Sequence, residues 1–180
     1  MGSRHVVLAL AGLAVVGALL GGCGKEIGDA CTLSTDCSPN GDRVCQCWNC
    51  SGVDPTGDSQ NGYCTIQGCD NGTCPDEAAC VSFFTGGFEN PPGKVCGPDA
   101  APDQRVACSV DEVCALSGEC VPRSSELRYC MLKCDSDGDC RDGYECRDAT
   151  LMMEHGGQPV PELGKSLDPN NLQKFCAAKP

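Results

Sequence analysis

Cysteine placement limits this chain more than any other feature: nineteen cysteines occur in 180 residues, and none precedes position 23. Over the 158 residues from Cys23 onward they make up about 12%, above the ~8–10% that marks a disulfide scaffold. Leu, Ile, Val and Phe supply only about 15% of the same stretch, below the ~20% at which a charged chain can order itself by burying apolar surface. Bridges must therefore replace a large core, at about 2–4 kcal/mol each. The expected fold is small and disulfide-rich: two tandem lobes of short β-hairpins and loops, with little helix and no large hydrophobic core.

The lobes follow from parity and spacing. Setting Cys23 aside leaves ten cysteines in one group, Cys31, Cys37, Cys45, Cys47, Cys50, Cys64, Cys69, Cys74, Cys80 and Cys96. Eight form another, Cys108, Cys114, Cys120, Cys130, Cys134, Cys140, Cys146 and Cys176. Both counts are even, so each group can close on itself in an oxidising compartment. The groups also look duplicated. Ala30-Cys31 and Cys37 match Ala107-Cys108 and Cys114; Tyr63-Cys64, Cys69, Cys74 and Cys80 match Tyr129-Cys130, Cys134, Cys140 and Cys146; Lys94-Val95-Cys96 matches Lys174-Phe175-Cys176. This divides the chain into residues 31–96 as lobe 1, 97–107 as linker and 108–176 as lobe 2, with one extra pair drawn from Cys45, Cys47 and Cys50. Asn40-Gly41, Asn61-Gly62 and Asn71-Gly72 suit tight turns with positive φ. Short helices are expected at 124–132 and, begun by Asp168-Pro169, at 167–175.

Residues 1–22 read as an export signal. Arg4 and His5 precede an apolar run over 6–20, signal-length where a membrane span needs about 20 residues. The run ends in Leu20-Gly21-Gly22-Cys23, which resembles the lipobox of bacterial lipoproteins. That resemblance implies cleavage before Cys23, a diacylglyceryl group on its thiol, palmitate-type acylation of the new amino terminus, and a tether over 23–30. Two or three acyl chains make a lasting membrane anchor. The other reading is an ordinary signal peptide with Cys23 in a bridge. Gly24 is not the Asp that retains lipoproteins in the inner membrane, so the expected place is the bacterial cell envelope, outer membrane favoured, facing the periplasm or the surface. The exported part carries 12 Lys+Arg against 25 Asp+Glu, a balance that repels nucleic acid.

Few residues invite chemistry. Cys47-Trp48-Asn49-Cys50 is a Cys-x-x-Cys, read as structural bridging over a metal or redox site. Asp135, Asp137 and Asp139, followed by Asp142 and Glu145, gather hard oxygen ligands and are the calcium candidates, although Cys140 and Cys146 stand where an EF-hand loop needs Gly and Glu. His155 is the single histidine after the signal, and Gly57-Asp58-Ser59 lacks the context of a nucleophile turn. No enzyme is expected. The long cysteine-free gaps 81–95 and 147–175 hold Phe83, Phe84 and Phe88, and Leu151, Met152, Met153 and Val160-Pro161; they either fill small cores or display a protein-binding surface.

The runs 108–120 and 134–146 look like the cysteine modules of EGF-like and Dickkopf-like proteins, and the whole resembles cysteine-rich surface lipoproteins of predatory or soil bacteria. The reading is a lipid-anchored extracytoplasmic scaffold with a binding or envelope-structural role; the alternatives are a calcium-dependent adhesion module and a secreted-type protease inhibitor.

Overall fold

The computed structural model describes residues 24–48, 62–85, 90–91, 93–97, 100–165 and 167–180. Its strands are short, as turn-rich spacers between cysteines dictate: β1 (Ala30–Cys31), β2 (Val44–Gln46), β3 (Gly62–Thr65), β4 (Ala78–Phe84), β5 (Glu112–Cys114), β6 (Cys120–Pro122), β7 (Glu126–Leu132), β8 (Tyr144–Arg147), β9 (Gln158–Pro159) and β10 (Phe175–Ala178). Two helices, α1 (Ser34–Cys37) and α2 (Ala149–His155), complete a disulfide-rich fold of strands and loops with little helix.

All seventeen described cysteines are bridged. Eight bridges have both partners described: Cys31–Cys45, Cys37–Cys64, Cys69–Cys80, Cys74–Cys130, Cys96–Cys114, Cys108–Cys120, Cys134–Cys146 and Cys140–Cys176. Taken in chain order they form four identical units of four cysteines, each pairing first with third and second with fourth. Unit 1 spans residues 31–64, unit 2 69–130, unit 3 96–120 and unit 4 134–176.

The backbone repeats with the bridges. In every unit the third and fourth cysteines face each other across an antiparallel ladder: Cys45 and Cys64, Cys80 and Cys130, Cys114 and Cys120, Cys146 and Cys176. In every unit the residue after the second cysteine opens a turn, its carbonyl accepting the N–H three residues on: Ser38 from Gly41, Pro75 from Ala78, Ser109 from Glu112, Arg141 from Tyr144. Each unit is thus a strand pair with both bridges on it, and its first three sulfurs lie within 4.8 Å of one another.

This overturns the expectation that the two cysteine groups close separately. Cys74–Cys130 and Cys96–Cys114 join them, and the sheet β7-β4-β9 takes strands from both. Of the three cysteines from which the extra pair is drawn, Cys45 belongs to unit 1. Cys47 is bridged; Cys50 and Cys23 lie outside the described residues. Unit 3 is nested inside unit 2, where it takes the place of a hairpin turn between β4 and β7. Those strands stay paired from Ala78 with Leu132 to Phe84 with Glu126.

The interior is small and aromatic. The residue before the fourth cysteine is Tyr63, Tyr129 and Phe175 in units 1, 2 and 4, each at most 4% exposed. Trp48 packs edge-on to Tyr63 at 5.4 Å and to Tyr129 at 5.1 Å, and Phe83 lies against Tyr129 and Phe175 at 6.3 and 6.2 Å. Tyr63 ties the units further: its ring stacks on Tyr144 at 5.1 Å and its hydroxyl accepts the Leu132 N–H at 2.8 Å. Burial pushes that phenol's pKa up. In unit 3, which reaches this core through Leu116, the equivalent residue is Glu119.

Local expectations divide. Gly41 and Gly72 do take positive φ, 78° and 74°, but Gly62 lies in β3 instead of a turn. Residues 124–132 form no α-helix: a 3-10 turn (Arg123–Ser125) leads into β7, where pairing with β4 and the Cys74–Cys130 bridge override local preference. Residues 167–175 hold turns and the start of β10. The real second helix, α2, is capped by Asp148, whose carboxylate accepts from the amides of Thr150 and Leu151.

Candidate functional site

Alternation along β4 sends Val81 and Phe83 to the aromatic core, while Ser82 and Phe84 face the other way. On that second face Glu126 and Arg128 of β7 and Gln158 of β9 line up beside Ser82, which pairs with Arg128 on one side and Gln158 on the other. A cavity of about 750 Å³ opens over this sheet. Unit 3 forms one wall, with Val113 and Leu116; α2 and the chain after it form the other, with Met153, Val160 and Leu167.

Hydrogen bonds hold the walls. Gln158 Oε1 accepts the Leu116 N–H at 2.6 Å, fastening unit 3 to β9. Asn90 clamps unit 3 from below, donating to Gly118 O at 2.7 Å and accepting the Cys120 N–H at 3.0 Å. On the floor, Ser82 Oγ donates to Glu126, and Arg128 donates to both Glu126 oxygens at 2.9 and 3.2 Å and to Asp70 at 3.1 Å. Burial works to raise the Glu126 pKa, but the hydrogen bonds from Arg128 and Ser82 outweigh it and hold the carboxyl below its ordinary value.

The two long cysteine-free gaps therefore meet here, and each is split between core and cleft. Phe83 fills the core while Phe84 lines the cleft; Met152 is 2% exposed in the core while Met153 is 49% exposed on the cleft wall. Phe88 lies outside the described residues.

His155 stands at a smaller recess of about 280 Å³ beside the cleft. Its Nδ1 lies 2.7 Å from Glu145 Oε1, to which Arg147 Nε also donates at 3.0 Å. Arg147 further donates to the carbonyls of His155, Gly156 and Ala178, joining the end of α2 to β10. Burial lowers the pKa of this guanidinium. Ser117 lines the same recess, yet its hydroxyl donates to Glu119 at 3.3 Å. Through the Arg147 bonds the cluster braces the end of α2 against β8 and β10.

The acidic run does similar work. Asp139 Oδ2 accepts the N–H groups of Asp135 and Ser136, both at 2.9 Å, and Asp137 Oδ1 accepts the Cys146 N–H at 2.8 Å. Asp36, likewise just before a second cysteine, accepts from Thr32 and Leu33 at 2.8 and 2.9 Å. These backbone bonds hold both carboxyls below the ordinary aspartate pKa. Asp135 offers its carbonyl to Lys174 Nζ. The Asp-Cys step at positions 36–37 and 139–140 was the visible sign of this shared cap, which the calcium reading passed over. Among the described residues the clusters with ligand geometry are the four sulfur trios, and their atoms are tied up in disulfides.

Cys23 and the signal lie outside the described residues, as do Gly57, Asp58 and Ser59; among the described residues no helix is long and apolar enough to cross a membrane. The chain matches no protein-family model, no curated protein and no solved structure.

Proposed function

We propose that the chain is an exported lipoprotein of the bacterial envelope, anchored through Cys23, that works as a binding scaffold and performs no catalysis. The observation that carries this reading is the convergence of the two longest cysteine-free gaps on one cleft of about 750 Å³. Such a volume falls within the roughly 300–1,000 Å³ of small-molecule sites. Its walls are held by bridged units on both sides, so the surface is pre-formed and little ordering entropy is lost on binding. The export reading is supported by the bridges themselves, which persist in oxidising compartments, and by the resemblance of Leu20-Gly21-Gly22-Cys23 to a lipobox.

A photo-reactive residue placed at Met153 on the cleft wall, and separately at Leu33 on unit 1, tests the site in intact envelopes. Adducts of defined mass are expected from position 153 and none from position 33; equal labelling at both removes the cleft reading. Cys23→Ser tests the anchor by membrane fractionation and intact mass. The variant is expected to be soluble or unprocessed, with no acyl mass and its other cysteines oxidised, and an unmodified Cys23 bridged to a downstream cysteine in the parent chain removes the anchor.

A further inference from the structure

The charge in the cleft runs against the charge of the chain. The whole sequence carries 13 Lys+Arg and 25 Asp+Glu, yet the charged side chains lining the cleft are Arg123, Arg128, Lys165 and one acid, Glu126. Arg128 and Glu126 satisfy each other, and Lys165 pairs with Glu162. Arg123 helps hold the Glu126 carboxyl below its ordinary pKa through its charge, but its guanidinium makes no hydrogen bond and no salt bridge among the described residues. Its own backbone is fixed, because its N–H donates to Asp111 O at 2.9 Å. The uncharged lining of the cleft is mixed, with Ser82, Gln104, Ser117 and Gln158 beside the larger apolar group of Phe84, Val95, Val113, Leu116, Met153 and Leu167. Val95 and Met153 are 40% and 49% exposed in a chain poor in large apolar residues.

We infer that the cleft takes an anionic amphiphile, a carboxylate or phosphate head on an apolar tail, with Arg123 holding the head and the apolar lining the tail. This deepens the binding-scaffold reading and rests on it. Charge complementarity selects the head: an exposed guanidinium whose donors are unused binds a carboxylate or phosphate oxygen directly. The floor argues for a hydrocarbon over an extended peptide. A peptide laid on a sheet needs an open ladder edge for its N–H and C=O groups, and at Ser82 on the cleft floor β4 is already paired on both sides, with Arg128 of β7 and Gln158 of β9. Peptide groups without partners there would be penalised, whereas an alkyl chain has none to satisfy.

The test uses the exported chain from position 23 onward carrying Cys23→Ser, so that neither signal, acyl chain nor detergent competes. It is titrated with alkyl carboxylates of increasing length, with alkyl trimethylammonium and alkyl glucoside controls. One carboxylate per chain is expected, with affinity rising about fourfold per added methylene until the cleft is filled. Arg123→Gln, at an exposed position, is expected to weaken the carboxylate roughly tenfold and leave the glucoside unchanged. Ala149→Trp, which fills the α2 wall, is expected to remove both; Arg123→Gln decides alone if that variant fails to fold. Vesicles containing an anionic phospholipid separate the sources: extraction of lipid into a soluble one-to-one complex assigns a membrane lipid, and binding of dispersed carboxylate alone assigns a free acid. Equal affinity for the ammonium series, or indifference to tail length, overturns the inference. So does a Met153 adduct that is a polypeptide while no amphiphile binds, and in that case the scaffold reading survives.

Discussion

At Gly62 an added β-carbon would land on the Sγ of Cys45 and lie 2.7 Å from the carbonyl oxygen of Cys31. The strand and the first bridge of unit 1 share that space only because the residue is glycine. Gly62→Ala is therefore expected to destabilise the chain by about 1–3 kcal/mol, as overpacking does, read as a lower denaturation midpoint together with slower closure of Cys31–Cys45. Asn61-Gly62 reads as a turn from the dipeptide alone; the crowding comes from a cysteine seventeen positions away, which no local rule contains. Asp36 and Asp139 give the acid limb. Their folded pKa values lie below the ordinary 3.8, so their contribution is complete above that value and is lost as pH falls through the folded values. Melting temperature should be level above about pH 5 and drop on further acidification, and Asp36→Asn with Asp139→Asn should flatten that drop. Because Asp137 and Asp139 already hold backbone amides, millimolar calcium should shift the melting temperature no more than magnesium; a calcium-specific rise would show that these amides are given up for the ion.

At the scale of elements, the repeated object is a strand pair carrying two interlocked bridges. Much of it was readable: aligning Tyr63-Cys64, Cys69, Cys74 and Cys80 with Tyr129-Cys130, Cys134, Cys140 and Cys146 correctly sets a fourth cysteine followed by the first three of the next unit. The frame failed at the ends. Cys96 opens unit 3 while Cys176 closes unit 4, so their similar neighbours, Lys94-Val95 and Lys174-Phe175, are not equivalent. Spacing records where cysteines fall and says nothing of which pairs form, and a unit nested inside another breaks tandem order. The cap at Asp148 with Gly156-Gly157 beyond was the available signal for α2, which the helix expectations at 124–132 and 167–175 passed over, and 124–132 shows helical spacing that only its partner strand cancels. The cleft was legible only as two long gaps, since their meeting depends on β9 pairing with β4. A non-reducing peptide map should show Cys74 joined to Cys130 and Cys96 to Cys114, and cutting within 97–107 should release no separate half. Removing the Cys74–Cys130 bridge, which closes a separation of 56 residues, should cost about 4 kcal/mol in the chain-entropy account, measured by denaturant unfolding of the double Cys→Ser variant.

For the whole molecule, every one of the eight described bridges skips at least one cysteine along the chain. Thiols oxidised in order of arrival pair with neighbours, so the native set has to be reached by exchange through mixed disulfides. Reduced chain reoxidised without free thiol should give several isomers by reversed-phase separation, and a glutathione pair should convert them to one species over minutes to hours; direct formation of the native form without thiol would contradict this. The nesting of unit 3 has a different kind of consequence. Thr85 N–H still donates to Ser125 O at 3.1 Å where the β4–β7 hairpin reaches unit 3, so the inserted segment enters and leaves through adjacent points and closes both its bridges within itself. Such an arrangement is a grafting locus: residues 90–122 can be exchanged as a cassette, changing one wall of the cleft while the supporting frame and its six other described bridges remain as they are.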